Sequence, residues 1–129
     1  MSEHDDLAGG QPRNFLRPCL LLLLLEGPAH GYDLLERLRD FGFGKSDPGG
    51  VYRTLRALER EGLVHSTWET SSTGPARRIY TITPEGEDQL GAWAAAVNDS
   101  RRTLEQFLER FAVATGQSVG DGLRGRARR

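Results

Sequence analysis

Phe15 to Glu26 is apolar on almost every side, and Gly27-Pro28 stops it. Its leucines favour a helix of about three turns, although periodicity alone leaves a buried strand open. A helix that is hydrophobic all round must lie between others, which makes this segment the centre of a small bundle. His30 to Phe43 sets Tyr32, Leu34, Leu35, Leu38 and Phe41 among charged residues. That is an amphipathic helix, ended by Gly42 and Gly44. Ser46-Asp47-Pro48 then supplies a side-chain cap followed by a proline suited to the first helical turn. In the helix that follows, Val51, Leu55 and Leu58 form one buried stripe, and Gly62 closes it. The opposite side carries Tyr52, Arg53, Arg56 and Arg60.

Leu63 to Thr70 alternates as a strand does, Ser71 to Pro75 is a turn cluster, and Arg77 to Ile82 is β-branched and aromatic. The two strands predict a hairpin with Arg78, Tyr80 and Ile82 on one face and Arg77, Ile79 and Thr81 on the other. Thr83-Pro84-Glu85 opens a last helix, with a threonine cap, a proline and acids at the positive end of the dipole. From there Leu90, Trp93, Val97, Ser100, Leu104, Phe107 and Phe111 fall on one stripe at alternating steps of three and four. Such a helix runs about 40 Å, more than a compact domain of this size can cover. Its stripe calls for another surface, and a second copy of the chain is the simplest one. The alternative is that the stripe packs wholly on its own domain, above all near Leu90 and Trp93. The expected division is a disordered arm over 1–13, a domain of three helices and a hairpin over 14–83, a dimerisation helix over 84–114 and a loose basic tail over 115–129.

A chain of 129 residues has room for one domain with a modest core. With 37% hydrophobic and 27% charged residues it reads as globular rather than disordered. The longest apolar run, Cys19 to Leu25, is seven residues, too short for a bilayer and without a cleavage site behind it. A single cysteine forms no internal disulfide, so a cytoplasmic protein is expected.

The net charge of −1 conceals a pattern. Lys45 to Arg60 carries Lys45, Arg53, Arg56 and Arg60 against Asp47 and Glu59; Arg77 and Arg78 form a second basic spot, and four arginines end the chain. A phosphate-gripping protein needs local basic surface rather than a basic average. Three helices followed by a β-hairpin make a mainly α winged helix-turn-helix, in which two helices hold the third so that it can enter the major groove. Arg53 and Arg56 suit guanine edges or phosphate, and Tyr52 suits phosphate and sugar. Gly49 and Gly50 open the helix, where free amides favour a phosphate. Arg77 and Arg78 reach the backbone from the wing. A merely solvated helix face is the plainer reading of any one of these arginines.

Three ordered motifs, His30-Gly31-Tyr32-Asp33-Leu34, Gly50-Val51-Tyr52-Arg53-Thr54-Leu55 through Leu63-Val64, and Gly74-Pro75-Ala76-Arg77-Arg78 through Pro84-Glu85-Gly86, resemble the PadR family of bacterial transcriptional regulators. The resemblance spans roughly Asn14 to Phe111. Asn14-Phe15-Leu16, Asp40-Phe41-Gly42-Phe43 and Val51 to Leu55 are further similar to the branch containing polyhydroxybutyrate-responsive repressors. It implies a dimer made by the last helix, often with the first, so that Phe15, Leu90, Trp93, Val97, Leu104, Phe107 and Phe111 are interface residues. It implies binding to a palindromic operator, usually as a repressor, sometimes released by a small molecule. Its phosphate-contacting tyrosine falls on Tyr52, its recognition positions on Ser46, Arg53 and Arg56, and its wing contacts on Arg77 and Arg78. His30 and Tyr32 match its helix-start motif, with a structural role. In multidrug-sensing relatives a tryptophan of the last helix stacks flat ligands; Trp93 lies one turn before that position, which Val97 holds here. Trp93 and Val97, with the leucines of the first helix, are the candidate effector site, and core packing is the other role open to Trp93.

Cys19 is expected to be a small buried hydrophobe rather than a nucleophile. His4, His30 and His65 share no metal-ligand spacing, and no phosphate loop, paired-carboxylate or triad pattern stands out. No metal, cofactor or enzymatic activity is expected. The competing function is a winged-helix protein adaptor without DNA binding, which would have no need of the face bearing Tyr52, Arg53 and Arg56.

Overall fold

In the computed structural model, which describes residues 14–43, 47–70 and 73–117, the first helix is indeed the hub. The elements in chain order are α1 (Leu16–Glu26), β1 (Ala29–His30), α2 (Gly31–Leu38) continued by a 3-10 turn (Arg39–Phe41), α3 (Pro48–Arg60), β2 (Val64–Glu69), β3 (Arg77–Ile82) and α4 (Pro84–Thr115). The fold is mainly helical with a small antiparallel sheet, as the sequence predicts. Lys45 and Ser46, the arm over 1–13 and the tail from residue 118 lie outside the described residues. Two compact units divide the chain, Met1–Ala92 and Trp93–Arg129.

In the first unit α1 packs against α2, α3 and β3. It buries Cys19, Leu20, Leu21, Leu23 and Leu24, which meet Leu34 and Leu38 of α2, Val51, Leu55 and Leu58 of α3, Val64 and Tyr80 in one apolar core. Each fully buried leucine contributes roughly 1.5–3 kcal/mol. Burial pushes the Cys19 thiol up to about 11, so it stays protonated and unreactive at neutral pH. Among the described residues no helix is long and apolar enough to cross a membrane.

Two features differ from the sequence expectation. The hairpin has a third strand: Ala29 and His30 pair with Tyr80 and Ile79, giving the order β1-β3-β2. Two residues behind Gly27-Pro28 are too few to show any period. The second helix tightens to 3-10 geometry after Leu38, and Gly42 ends it in the left-handed region at φ 80°. The last helix, expected over 84–114, ends at Thr115, where Gly116 turns the chain. Tyr32 is also 66% exposed rather than on the buried side of α2.

The end of α3 and the start of α4 share one knot. Gly62, at φ 78°, lets the Leu63 amide donate to Leu58 O at 2.9 Å and its own amide to Glu59 O at 3.0 Å, satisfying the helix's last carbonyls. Thr83, predicted as the cap of the last helix, accepts from the Gly86 amide at 3.0 Å, donates its hydroxyl to Gly62 O at 2.7 Å and its amide to Leu63 O at 3.1 Å. Gly86 is buried against Leu63 and Ile82.

The second unit consists, among its described residues, of the remainder of α4 and the turn after it. Val97, Leu104, Phe107 and Phe111 are all exposed along it, Phe107 most at 64%, and the Phe107 and Phe111 rings stack at 6.4 Å.

Candidate nucleic-acid interface

The helix α3 starts where a proline at its first position follows Asp47, whose backbone is still extended. Asp47 Oδ1 accepts from the Gly49 amide at 3.2 Å and Oδ2 from the Gly50 amide at 3.1 Å. This corrects the expectation of free amides at Gly49 and Gly50: a carboxylate already satisfies them, and its charge repels an incoming phosphate. The glycines serve instead to admit their neighbours. A Cβ on Gly49 would stand 3.1 Å from Arg53 Nη1, and one on Gly50 3.1 Å from Asp47 Oδ2. Arg53 itself lies 3.4 Å from Asp47 Oδ2, both side chains being mostly exposed. Its charge is therefore partly balanced before any ligand arrives. Arg56 and Arg60 are exposed and make no ion pair among the described residues.

Tyr52 is half-buried because its ring lies against Gly31 at the start of α2; a Cβ there would meet Tyr52 Cε1 at 2.4 Å. Only glycine lets the phenol rest on the α2 backbone, so Gly31 sets the pose of a side chain on the reading helix. Gly31→Ala is expected to cost about 1–3 kcal/mol in chemical denaturation, the usual range for overpacking. In a Tyr52→Ala background the same change should cost almost nothing. Equal costs in both backgrounds would show that the ring does not set the requirement.

The wing separates the two arginines that the sequence places together. Arg77 pairs across the ladder with Glu69, an opposite charge, whereas Arg78 pairs with Trp68. The Arg78 guanidinium lies 4.9 Å from the Trp68 ring centroid. Tyr80, on the Arg78 face, is buried; burial pushes its phenol up, and the neighbouring Arg78 opposes the shift. Ser66, opposite Tyr80, donates to both Glu59 oxygens on α3 at 2.8 and 2.9 Å, so this face of the wing is the one turned to α3. His30, on the other face, bridges Glu69 Oε1 at 3.0 Å and Asp33 Oδ2 at 3.4 Å, a structural tie between strand and helix. Trp68 escaped sequence reasoning, because only the strand register reveals that it faces Arg78.

The candidate effector residues divide differently. Trp93 is half-buried and Val97 exposed, and the leucines of α1 are enclosed in their own core, apart from half-buried Leu16 and Leu22 and the exposed Leu25. An open hollow of about 380 Å³ is lined by Glu109, Arg110, Val113 and Ala114, well along α4 from the predicted pair. Phe15 is half-buried and stacks on Phe43 at 6.3 Å, and Leu90 is half-buried. Among the described residues no group of three His, Cys, Asp or Glu side chains could hold a metal ion.

Residues 20–92 match the model of the transcriptional regulator PadR-like family. Transcriptional regulator Rv3488 of Mycobacterium tuberculosis is 33% identical over 114 residues, covering 85% of this chain and 98% of that protein. The crystal structure of a PadR-like transcriptional regulator from Bacillus cereus superposes with a TM-score of 0.66 at 30% identity, covering 73% of this chain and 91% of that one. Bacillus subtilis PadR, crystallised in complex with operator DNA, gives a TM-score of 0.56 at 26% identity, over 61% of this chain and 46% of that one.

Proposed function

This chain belongs to the PadR-like family of transcriptional regulators, a family of regulators rather than enzymes, and from that premise we propose that it acts as a homodimeric repressor on a palindromic operator. The observation that carries the reading is the exposed cationic side of α3, Arg53, Arg56 and Arg60, beside a wing whose Arg78-bearing face is the one turned towards α3. Two such helices related by a two-fold axis would enter successive major grooves, with half-site centres about 34 Å apart. Tyr52 adds a phenol for phosphate at the same helix. Lys45 and Ser46 precede its cap, Asp47, in the sequence. The exposed stripe Val97, Leu104, Phe107 and Phe111 supports pairing through α4. The site of action is the bacterial cytoplasm, at the nucleoid. Trp93 and Val97 remain the proposed contacts of a small effector between two α4 helices; such a ligand would release DNA only by preferring one spacing of the two reading helices.

The test is anisotropy titration of a labelled duplex from the chain's own upstream region against an unrelated duplex, over a range of salt. Tight, salt-steep binding to the first and much weaker binding to the second are expected. Arg56→Ala should lose about 1–3 kcal/mol of operator affinity and blur selectivity at one base pair per half-site. Arg53→Ala should lose less, since Asp47 already engages that guanidinium. Indifference of both variants would remove α3 as the reading element, and indifference of the wild type to every duplex would favour a protein adaptor.

A further inference from the structure

On the wing, Trp68 leaves 62% of its surface exposed although it sits in a regular strand next to a buried core. What distinguishes this exposed indole is the cation that lies over it, Arg78. Along the face of the sheet turned to α3, Tyr80 is buried and its partner Ser66 half-buried; the next pair towards the tip, Trp68 and Arg78, is exposed. A guanidinium lying over an indole uses its flat face; Arg78 gives one N–H to the Tyr80 phenol beside it, and its remaining edge N–H groups stay free to donate. Stacking also restrains a side chain that otherwise loses about 2 kcal/mol of rotamer entropy when it is held in one place. Arg77, on the opposite face and across from Glu69, has neither advantage.

We propose that Trp68 is a positioning residue for DNA binding: it holds the Arg78 guanidinium, beside α3, in the pose that meets a backbone phosphate. This deepens the reading of the chain as a DNA-binding regulator and rests on it. The indole supplies orientation and the arginine supplies charge, so their variants should fail in different ways. The interaction is with the phosphodiester chain and carries no sequence preference.

The discriminating experiment titrates a labelled duplex of arbitrary sequence with the full chain at several salt concentrations. Arg78→Ala should lower the slope of log affinity against log salt by about one, as the loss of one phosphate contact does. Trp68→Ala should weaken binding about two- to fivefold, the range of an exposed cation–π contact, with the slope nearly kept. Trp68→Phe should restore most of that loss and Trp68→Leu none, which separates the ring from its bulk. With Arg78→Ala already present, Trp68→Ala should change nothing further. Losses that simply multiply, or a Trp68→Leu variant that binds like the wild type, would overturn the proposal. Should the wild type bind no duplex at all, the functional reading itself fails; binding indifferent to both Trp68 and Arg78 defeats the wing assignment alone.

Discussion

Gly86→Ala should lower the melting temperature by roughly 12–24 °C. A Cβ at this position would stand 2.1 Å from Leu63 O and 2.8 Å from Ile82 Cγ1. The first of these is backbone, so no side-chain rotation relieves it. Moving Leu63 away would disturb the bond its carbonyl accepts from the Thr83 amide and the one its amide donates to Leu58, which ends α3. Overpacking costs about 1–3 kcal/mol and sometimes more, and this case combines it with hydrogen-bond loss, so about 3 kcal/mol is expected. In a small domain each kcal/mol moves the midpoint by roughly 4–8 °C. Gly91, five residues on in the same helix, has open space around its Cβ, so Gly91→Ala should instead raise the midpoint through helix propensity, by about 0.5–1 kcal/mol. Similar melting points for the two variants would mean that α4 does not start against the end of α3.

Phe107→Asp should convert a dimer to a monomer while leaving the rest of the protein as stable as before. At 64% exposure the ring contributes little to its own chain. In a two-fold interface it would be buried twice, at roughly 1.5–3 kcal/mol each, and an aspartate there would carry the further penalty of desolvated charge. Together these weaken association at least about a hundredfold, taking 1.4 kcal/mol per factor of ten. Operator affinity should fall by at least a similar factor, since a lone subunit holds one half-site. Sedimentation equilibrium and gel shift on the same samples check both effects. A variant that stays dimeric with full affinity would move the interface away from this stripe.

Much of this was legible in the chain because it is written in strong local signals. The stripe Val51, Leu55, Leu58, the cap-and-proline pairs at Asp47-Pro48 and Thr83-Pro84, and the alternation through Arg77 to Ile82 each report their element directly. What stayed hidden depends on contacts between elements. Ala29 and His30 become a strand only because β3 has a free edge beside them. Gly31 reads as an unremarkable motif glycine until Tyr52, twenty-one residues later, lies on it. Arg77 and Arg78 look equivalent in sequence, and the register that gives one a carboxylate and the other an indole depends on the hairpin connection. The amides of Gly49 and Gly50 looked free because a cap was expected without deciding which side chain would close over them; Asp47 does so with both oxygens.

The most direct measurement is selection of bound duplexes from a random pool with the purified chain. The account predicts an enriched motif with two-fold symmetry, its halves centred about one helical turn apart. Enrichment of a single asymmetric half, or no enrichment at all, would contradict it.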